Sequence, residues 1–208
     1  ETWLDIGAGA GRYALPLALA GASVVALDPS KAMLAGLREA MTEFEVGGIR
    51  AIEARWPTED PPVADVAFIA HVSYDIAEIG PFLDAMEASA RRMCVAVLLS
   101  EAPATAAAGL WPAVHGEPRD LLPALPEFLA LLLARGKLFN VWLGERGAMG
   151  YPSLEAMEGF SRQQLFIEPD GPGARRLHEV LPALAYERDG RYYLSDRPTP
   201  LGIVSWKP

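Results

Sequence analysis

Apolar residues fall into two patterns along this chain, and their alternation predicts an α/β fold. Trp3-Leu4-Asp5-Ile6, Ser23–Leu27, Ile49–Ile52, Asp65–Ala70 and Met93–Leu99 are short runs rich in Val, Ile, Ala and Leu. Runs apolar on both faces read as parallel strands covered by helices on each side. Between them the apolar residues return at helical spacing. Arg12–Ala20 reads as a helix stopped by Gly21. Ser30 caps a helix reaching Phe44, with Met33, Leu34, Leu37 and Met41 as its buried stripe. Gly80–Arg92 turns Phe82, Leu83, Met86 and Ala90 inward. This order predicts a doubly wound sheet with right-handed crossovers.

The second half is less regular. Ala102–Ala108 is small and flexible in composition, and Trp111–Arg119 reads as a loop. Leu125–Arg135 is a helix, apolar almost all round, and Leu138–Leu143 is a sixth strand. Ser153–Gln164 and Gly173–Leu184 are further helices, the second with Leu177, Leu181 and Leu184 on one stripe. Asp189-Gly190 is a hairpin turn, and Leu201–Trp206 is a terminal strand. The expectation is one domain over residues 1–208, with halves 1–100 and 101–208.

The stretch Glu1–Gly11 organises the first half. A strand runs into Gly7, Gly9 and Gly11, and a helical pattern follows. Such a turn presents backbone N–H groups at the positive end of a helix dipole. The next strand ends in Asp28, a position suited to accepting hydrogen bonds from two ribose hydroxyls. Two nucleotide-binding plans share this layout, so spacing must separate them. The dinucleotide fingerprint is Gly-x-Gly-x-x-Gly. Here the third glycine comes one residue early, and Asp5 occupies a position that is apolar in a dehydrogenase strand. Asp5-x-Gly7-x-Gly9-x-Gly11 followed by Asp28 resembles the first two motifs of class I S-adenosylmethionine-dependent methyltransferases, over residues 2–100.

That resemblance implies a Rossmann-like, doubly wound, seven-stranded sheet with an antiparallel last strand. It also implies helical insertions over the carboxyl ends of the strands, and a helical segment preceding residue 1. The first half would be the cofactor-binding half and the second the substrate-covering half. The glycine turn would lie against the methionine portion of S-adenosylmethionine, with Asp5 shaping the turn and Asp28 holding the ribose. The alternative for Asp28 is a turn or capping residue beside Pro29. Met33 either packs on adenine or is an ordinary core methionine. Backbone contacts to adenine are expected at Ala54–Arg55, with Trp56 covering the purine. His71 and Tyr74 follow the fourth strand, where the family places groups facing the transferable methyl; both are catalytic candidates, and His71 is also a cofactor-binding candidate. His71 is either a base near neutral pH or a residue satisfied by local backbone.

Composition narrows the partners. The formal net charge of −9 repels phosphate backbones, which disfavours nucleic acid and favours a small-molecule acceptor. No apolar run is long enough for a transmembrane helix. The single cysteine, Cys94, cannot form an internal disulfide, which suits a reducing cytoplasm. Three histidines and one cysteine, scattered far apart, make no metal constellation. His115-Gly116-Glu117-Pro118-Arg119 is the densest polar cluster of the second half. His115, Glu117 and Arg119 are candidates for touching substrate, or else form a solvated loop with a salt bridge. Asp60-Pro61-Pro62-Val63 precedes the fourth strand, the wrong side for a methyltransferase Asp-Pro-Pro motif, and reads as a rigid loop. The rival functions are a non-catalytic S-adenosylmethionine-binding module and a nicotinamide-dependent oxidoreductase. No residue pattern sets the oligomeric state.

Overall fold

The apolar runs of the first hundred residues become five neighbouring parallel strands. The computed structural model describes residues 1–208. Its strands are β1 (Thr2–Ile6), β2 (Ser23–Asp28), β3 (Ile49–Glu53), β4 (Ala64–Ala70) and β5 (Ala90–Leu99), followed by β6 (Phe139–Arg146), β7 (Tyr186–Arg188), β8 (Arg191–Tyr193) and β9 (Thr199–Trp206). The main sheet has seven strands in the order β3-β2-β1-β4-β5-β9-β6, with an antiparallel strand near its end. The chain reverses direction across the sheet between β1 and β4, the switch point at which open α/β sheets hold ligands. Thr2 and Asp65 fix the starts of those two strands. The Thr2 backbone N–H and hydroxyl both donate to the Asp65 carboxylate at 2.8 Å, and the Asp65 N–H donates back to the Thr2 hydroxyl. These bonds hold the Asp65 carboxyl below its usual range.

Two compact units make up the chain. The first comprises Glu1–Leu98, Pro126–Leu143 and Gly202–Pro208; the second comprises Leu99–Leu125 and Gly144–Leu201. In the first, α1 (Ala14–Leu19), α2 (Lys31–Glu43) and α3 (Ile79–Ala88) connect the parallel strands. Leu4, Ile6, Leu27, Leu34, Leu37, Ile69, Leu83 and Met86 are fully buried. Ser30 caps α2, its hydroxyl accepting from the Met33 N–H at 3.3 Å.

Several boundaries differ from the sequence expectation for local reasons. Helix α1 begins at Ala14, not Arg12, because Gly7–Tyr13 is consumed by the turn. Helix α3 stops at Ala88, not Arg92, and Ala90–Arg92 already belongs to β5. Arg91 and Arg92 there reach Asp65 and Glu1 at the starts of neighbouring strands. Both arginines are solvent-exposed, and such pairs are worth little individually. Met33 is half exposed, so only Leu34, Leu37 and part of Met41 form the inward stripe of α2.

In the second unit, the text expected to be irregular is helical. Pro103–Leu110 is a 3₁₀ helix that runs into α4 (Trp111–His115). Pro103 and Pro112 sit at helix starts, where a missing N–H costs nothing. Helix α5 (Leu125–Ala134) belongs to the first unit from Pro126 onward, while α6 (Leu154–Gln164) and α7 (Pro172–Leu184) complete the second. Leu110, Val114, Met157, Leu165, Leu177 and Leu181 form one core, while Leu184 is exposed and leaves the expected stripe. β7 and β8 form the expected hairpin, with positive φ at both Asp189 and Gly190.

Candidate functional site

Register lines up the predicted first-half residues along the carboxyl edge of the sheet. Ile6 pairs with Leu27 and with Ile69, and Asp28 pairs with Glu53. Gly7, Asp28, Ala54 and His71 therefore leave adjacent strands side by side. The turn begins with the Gly7 and Ala8 N–H groups both donating to the Leu27 carbonyl, at 2.8 and 3.1 Å. Gly7, Gly9 and Gly11 all have positive φ, which L side chains rarely adopt. Their surroundings differ. A Cβ at Gly7 would stand 2.6 Å from Val72 Cγ2, and one at Gly11 would overlap Leu37 Cδ1. A Cβ at Gly9 would meet nothing within 4 Å. Gly7 and Gly11 are thus glycines for packing, while Gly9 faces open space and leaves the backbone approachable.

Asp28 ties this turn to the second strand. One carboxylate oxygen accepts from the Gly9 N–H at 2.9 Å, and the other from the Ser30 N–H at 2.8 Å. The side chain is nearly buried, while Pro29 beside it is exposed. Each oxygen retains a second acceptor position. The turn-forming role weighed in the sequence is therefore present, and it leaves acceptor capacity for a ligand.

Asp5 lies beneath the turn, 2 % exposed, and its Oδ2 has no hydrogen-bond partner. Desolvation, then the Asp28 charge, push its pKa up to about 7, against a hydrogen bond from the Ala14 backbone. A folded-state pKa above the unfolded value means that the native state binds the proton more tightly. Stability attributable to this group falls as pH rises from about 4 to about 7, and the loss is complete above that. Asp5→Asn mimics the neutral carboxyl. Its unfolding midpoint in urea is expected to exceed wild type at pH 8 by on the order of 1 kcal/mol or more, and to converge with it by pH 4–5. Parallel stability profiles would show that Asp5 carries no elevated pKa.

His71 is half-buried and has φ +56; Ser73 has φ +100. Left-handed conformations at non-glycine residues are strained and cluster at functional sites. The imidazole lies between two phenols, with Tyr13 Oη 3.2 Å from Nε2 and Tyr74 Oη 3.4 Å from Nδ1. Both ring nitrogens thus meet hydroxyls, which serve either tautomer as donor or acceptor. Tyr74 is buried, and Tyr13 packs edge-on against Phe68 at 5.2 Å. Tyr13 and Val72 were not picked out in the sequence. An aromatic residue two places after Gly11 is the only local trace of the first, and its contact with His71 spans 58 residues.

The adenine-side expectations divide. The Ala54 N–H donates to the Asp28 carbonyl at 3.2 Å, and Arg55 is exposed. Met33 is 50 % exposed, which removes the core-methionine reading. Trp56 does not stand over an open face: it is buried, donates its indole N–H to the Phe82 carbonyl at 3.2 Å, and packs edge-on against Phe82. Burial of a large aromatic outweighed the covering role expected for it.

His115, Glu117 and Arg119 belong to the second unit. His115 stacks on Trp111 at 4.1 Å, with Nε2 3.0 Å from the Leu165 carbonyl. The Arg119 guanidinium lies over the Trp111 ring at 4.5 Å and donates to the Ala104 and Gln164 carbonyls. Glu117 is exposed. The expected alternative of a loop salt bridge is not what holds this cluster; backbone carbonyls and an indole face do.

Comparison with known proteins points the same way as the glycine turn. Residues 4–94 match the family model of a methyltransferase domain. That family uses S-adenosylmethionine, and the class I resemblance of the glycine turn agrees with it. An uncharacterized protein of Haemophilus influenzae is 33 % identical over 94 residues, covering 44 % of this chain. The chain spans about a third, 35 %, of the length of that curated relative. Among solved structures, the YcgJ protein of Bacillus subtilis superposes with a TM-score of 0.63 at 15 % identity, covering 99 % of this chain and 91 % of that one. Magnesium protoporphyrin IX methyltransferase from Synechocystis, with bound SAH, gives 0.60 at 13 % identity, covering 99 % and 73 %. At such identities the likeness concerns the fold. No helix is long and apolar enough to cross a membrane.

Proposed function

We propose that this chain is an S-adenosylmethionine-dependent methyltransferase acting on a small-molecule acceptor. The observation that carries the reading is the carboxyl edge of the sheet. There Gly9 faces open space, Asp28 braces the turn with acceptor capacity left over, and Asp5 offers a buried, unpartnered oxygen. These features fit the cofactor of the family. The turn would lie against its amino-acid portion at Gly9, with Gly7, Gly11 and Asp5 shaping that turn; Asp28 and Pro29 would hold its ribose, and Met33 with the backbone of Ala54–Arg55 its base. When bound, that group supplies an electrophilic methyl on a sulfonium centre. The protein has only to align an acceptor and exclude water.

His71 and Tyr74 stand at the end of β4, the side on which the acceptor is expected. With Tyr13 and Tyr74 at its two ring nitrogens, the imidazole would act through one of those phenols, which would take the acceptor's proton as it gives its own to the ring. The net charge of −9 supports a small acceptor over a polyanion. In the second unit, His115, Glu117 and Arg119 remain candidates for contact with the acceptor, although His115 and Arg119 already serve the local fold.

Calorimetry of the chain with S-adenosylhomocysteine tests the reading: micromolar binding supports it, and no binding overturns it. His71→Ala is expected to lower turnover ~100-fold, the lower end for general base catalysis. Its affinity for S-adenosylhomocysteine should fall much less, within about threefold of wild type, because a proton-transfer role weighs on turnover more than on cofactor binding. A matched loss of turnover and affinity would make His71 a structural residue of the turn.

A further inference from the structure

We propose that the second unit holds a binding site of its own for a small organic monocarboxylate with an apolar or aromatic body. The inference goes beyond the methyltransferase reading and does not depend on it. The site is a cavity of about 610 Å³, lined by segments 99–106, 146–151, 160–164 and 194–200, with the size of a small-molecule pocket. Leu99, Met149, Tyr151, Phe160 and Leu194 supply an apolar wall. Arg146, Arg197 and Glu101 are its charged residues, so the lining carries one more positive than negative charge.

The choice of an anion rests on what the arginines lack. The chain carries 27 acidic against 18 basic residues, so carboxylates are plentiful. Arg135, Lys137, Arg91 and Arg92 find them in the first unit. In the second unit, Arg119, Arg176 and Arg191 spend their donors on backbone carbonyls. Arg146 instead meets only the Met149 sulfur, at 4.0 Å, a weak acceptor for a charged donor. No side chain of the protein pairs with the Arg197 guanidinium. A guanidinium beside apolar walls and without a partner is matched by the planar, bidentate geometry of a carboxylate.

Tyr151 adds a neutral donor. Its phenol makes no hydrogen bond within the chain, and burial pushes its pKa up to about 12, so it stays protonated at neutral pH. Its backbone is clamped: the Tyr151 N–H donates to the Tyr192 carbonyl at 2.8 Å, and the Tyr192 N–H returns the bond at 2.9 Å. The ring rests against Phe160 at 5.5 Å. The donor and the wall are therefore held in place before any ligand arrives, which limits the ordering cost of binding.

The test is calorimetry of the whole chain with 4-phenylbutyrate as probe and its neutral amide, 4-phenylbutanamide, as control. The carboxylate is expected to bind ~10-fold or more tightly than the amide, the yield of one charge-assisted pair. Arg146→Met should abolish that preference, and Arg146→Lys, which keeps charge but loses the fork, should retain part of it. Arg197→Met and Tyr151→Phe should each weaken the carboxylate selectively. Equal binding of the two probes, binding of neither, or an undiminished preference in Arg146→Met would overturn the proposal. S-adenosylhomocysteine titrated into the same samples reports on the methyltransferase reading separately. Retained binding of it with no response to the probe removes the carboxylate site alone.

Discussion

Asp28→Ala is expected to lower affinity for S-adenosylhomocysteine ~100-fold or more while the chain remains folded. The carboxylate accepts from the Gly9 and Ser30 N–H groups at 2.9 and 2.8 Å. Each oxygen keeps one acceptor position for a ribose hydroxyl. Hydrogen bonds to a charged group contribute about 1.5–3 kcal/mol each, so losing two of them accounts for a factor of ~100 at the least. Alanine also frees the Gly9 N–H, so the turn loses its brace and the loss of affinity grows. The sheet beneath does not depend on this side chain, because the Gly7 and Ala8 N–H groups hold the Leu27 carbonyl independently. Asp28→Asn keeps one acceptor oxygen and is expected to fall between the two. Calorimetry gives the affinities, and far-ultraviolet circular dichroism verifies the fold. Unchanged affinity in Asp28→Ala would leave Asp28 as a turn-former only.

Gly11→Val is expected to have the largest effect on stability. Gly11 is buried with φ +88, and a Cβ there overlaps Leu37 Cδ1 and comes within 3.2 Å of Leu15 Cγ. Leu37 is itself fully buried and cannot swing away. The left-handed conformation costs a side chain about 1–2 kcal/mol, and overpacking a core adds about 1–3 kcal/mol. A loss of about 2–5 kcal/mol in urea unfolding follows, a large share of the stability of a domain this size. Gly9→Ala is the contrast. Its φ of +55 carries the same kind of strain, yet its Cβ meets nothing. Its stability should fall by about 1–2 kcal/mol at most, while affinity for S-adenosylhomocysteine should fall more, because the methyl fills the space left for the ligand. Equal stability losses in the two variants would show that packing against Leu37 does not set the role of Gly11.

The two glycines illustrate what spacing can convey. Their alternation within Gly7–Gly11 marked the turn, because a strand that must reverse into a helix within a few residues has few other ways to do so. The same alternation could not separate a glycine that packs from one that opens. That distinction depends on Val72 and Leu37, residues brought to the turn by β4 and α2. Trp56 shows the same limit. Its neighbours in sequence suggest the loop after β3, but Phe82 of α3 is what buries it. The boundary of α3 moved because Ala90–Arg92 suits helix and strand alike, and pairing with β4 at Ala64 settles it as strand.

Local chemistry alone determined the parallel strands of the first half, the cap at Ser30, the hairpin at Asp189-Gly190, and the line of Asp5, the glycines and Asp28 that resembles a methyltransferase motif. Each rests on residues within one or two turns of chain, where conformational preference acts directly. Tertiary structure alone decided the Tyr13–His71–Tyr74 arrangement, the elevated pKa of Asp5 and the second-unit cavity with its unpaired arginines. Those depend on burial and on partners tens of residues away, such as Arg146 and Arg197 on separate segments of one wall. Desolvation and charge pairing act through space, and no window of sequence contains them.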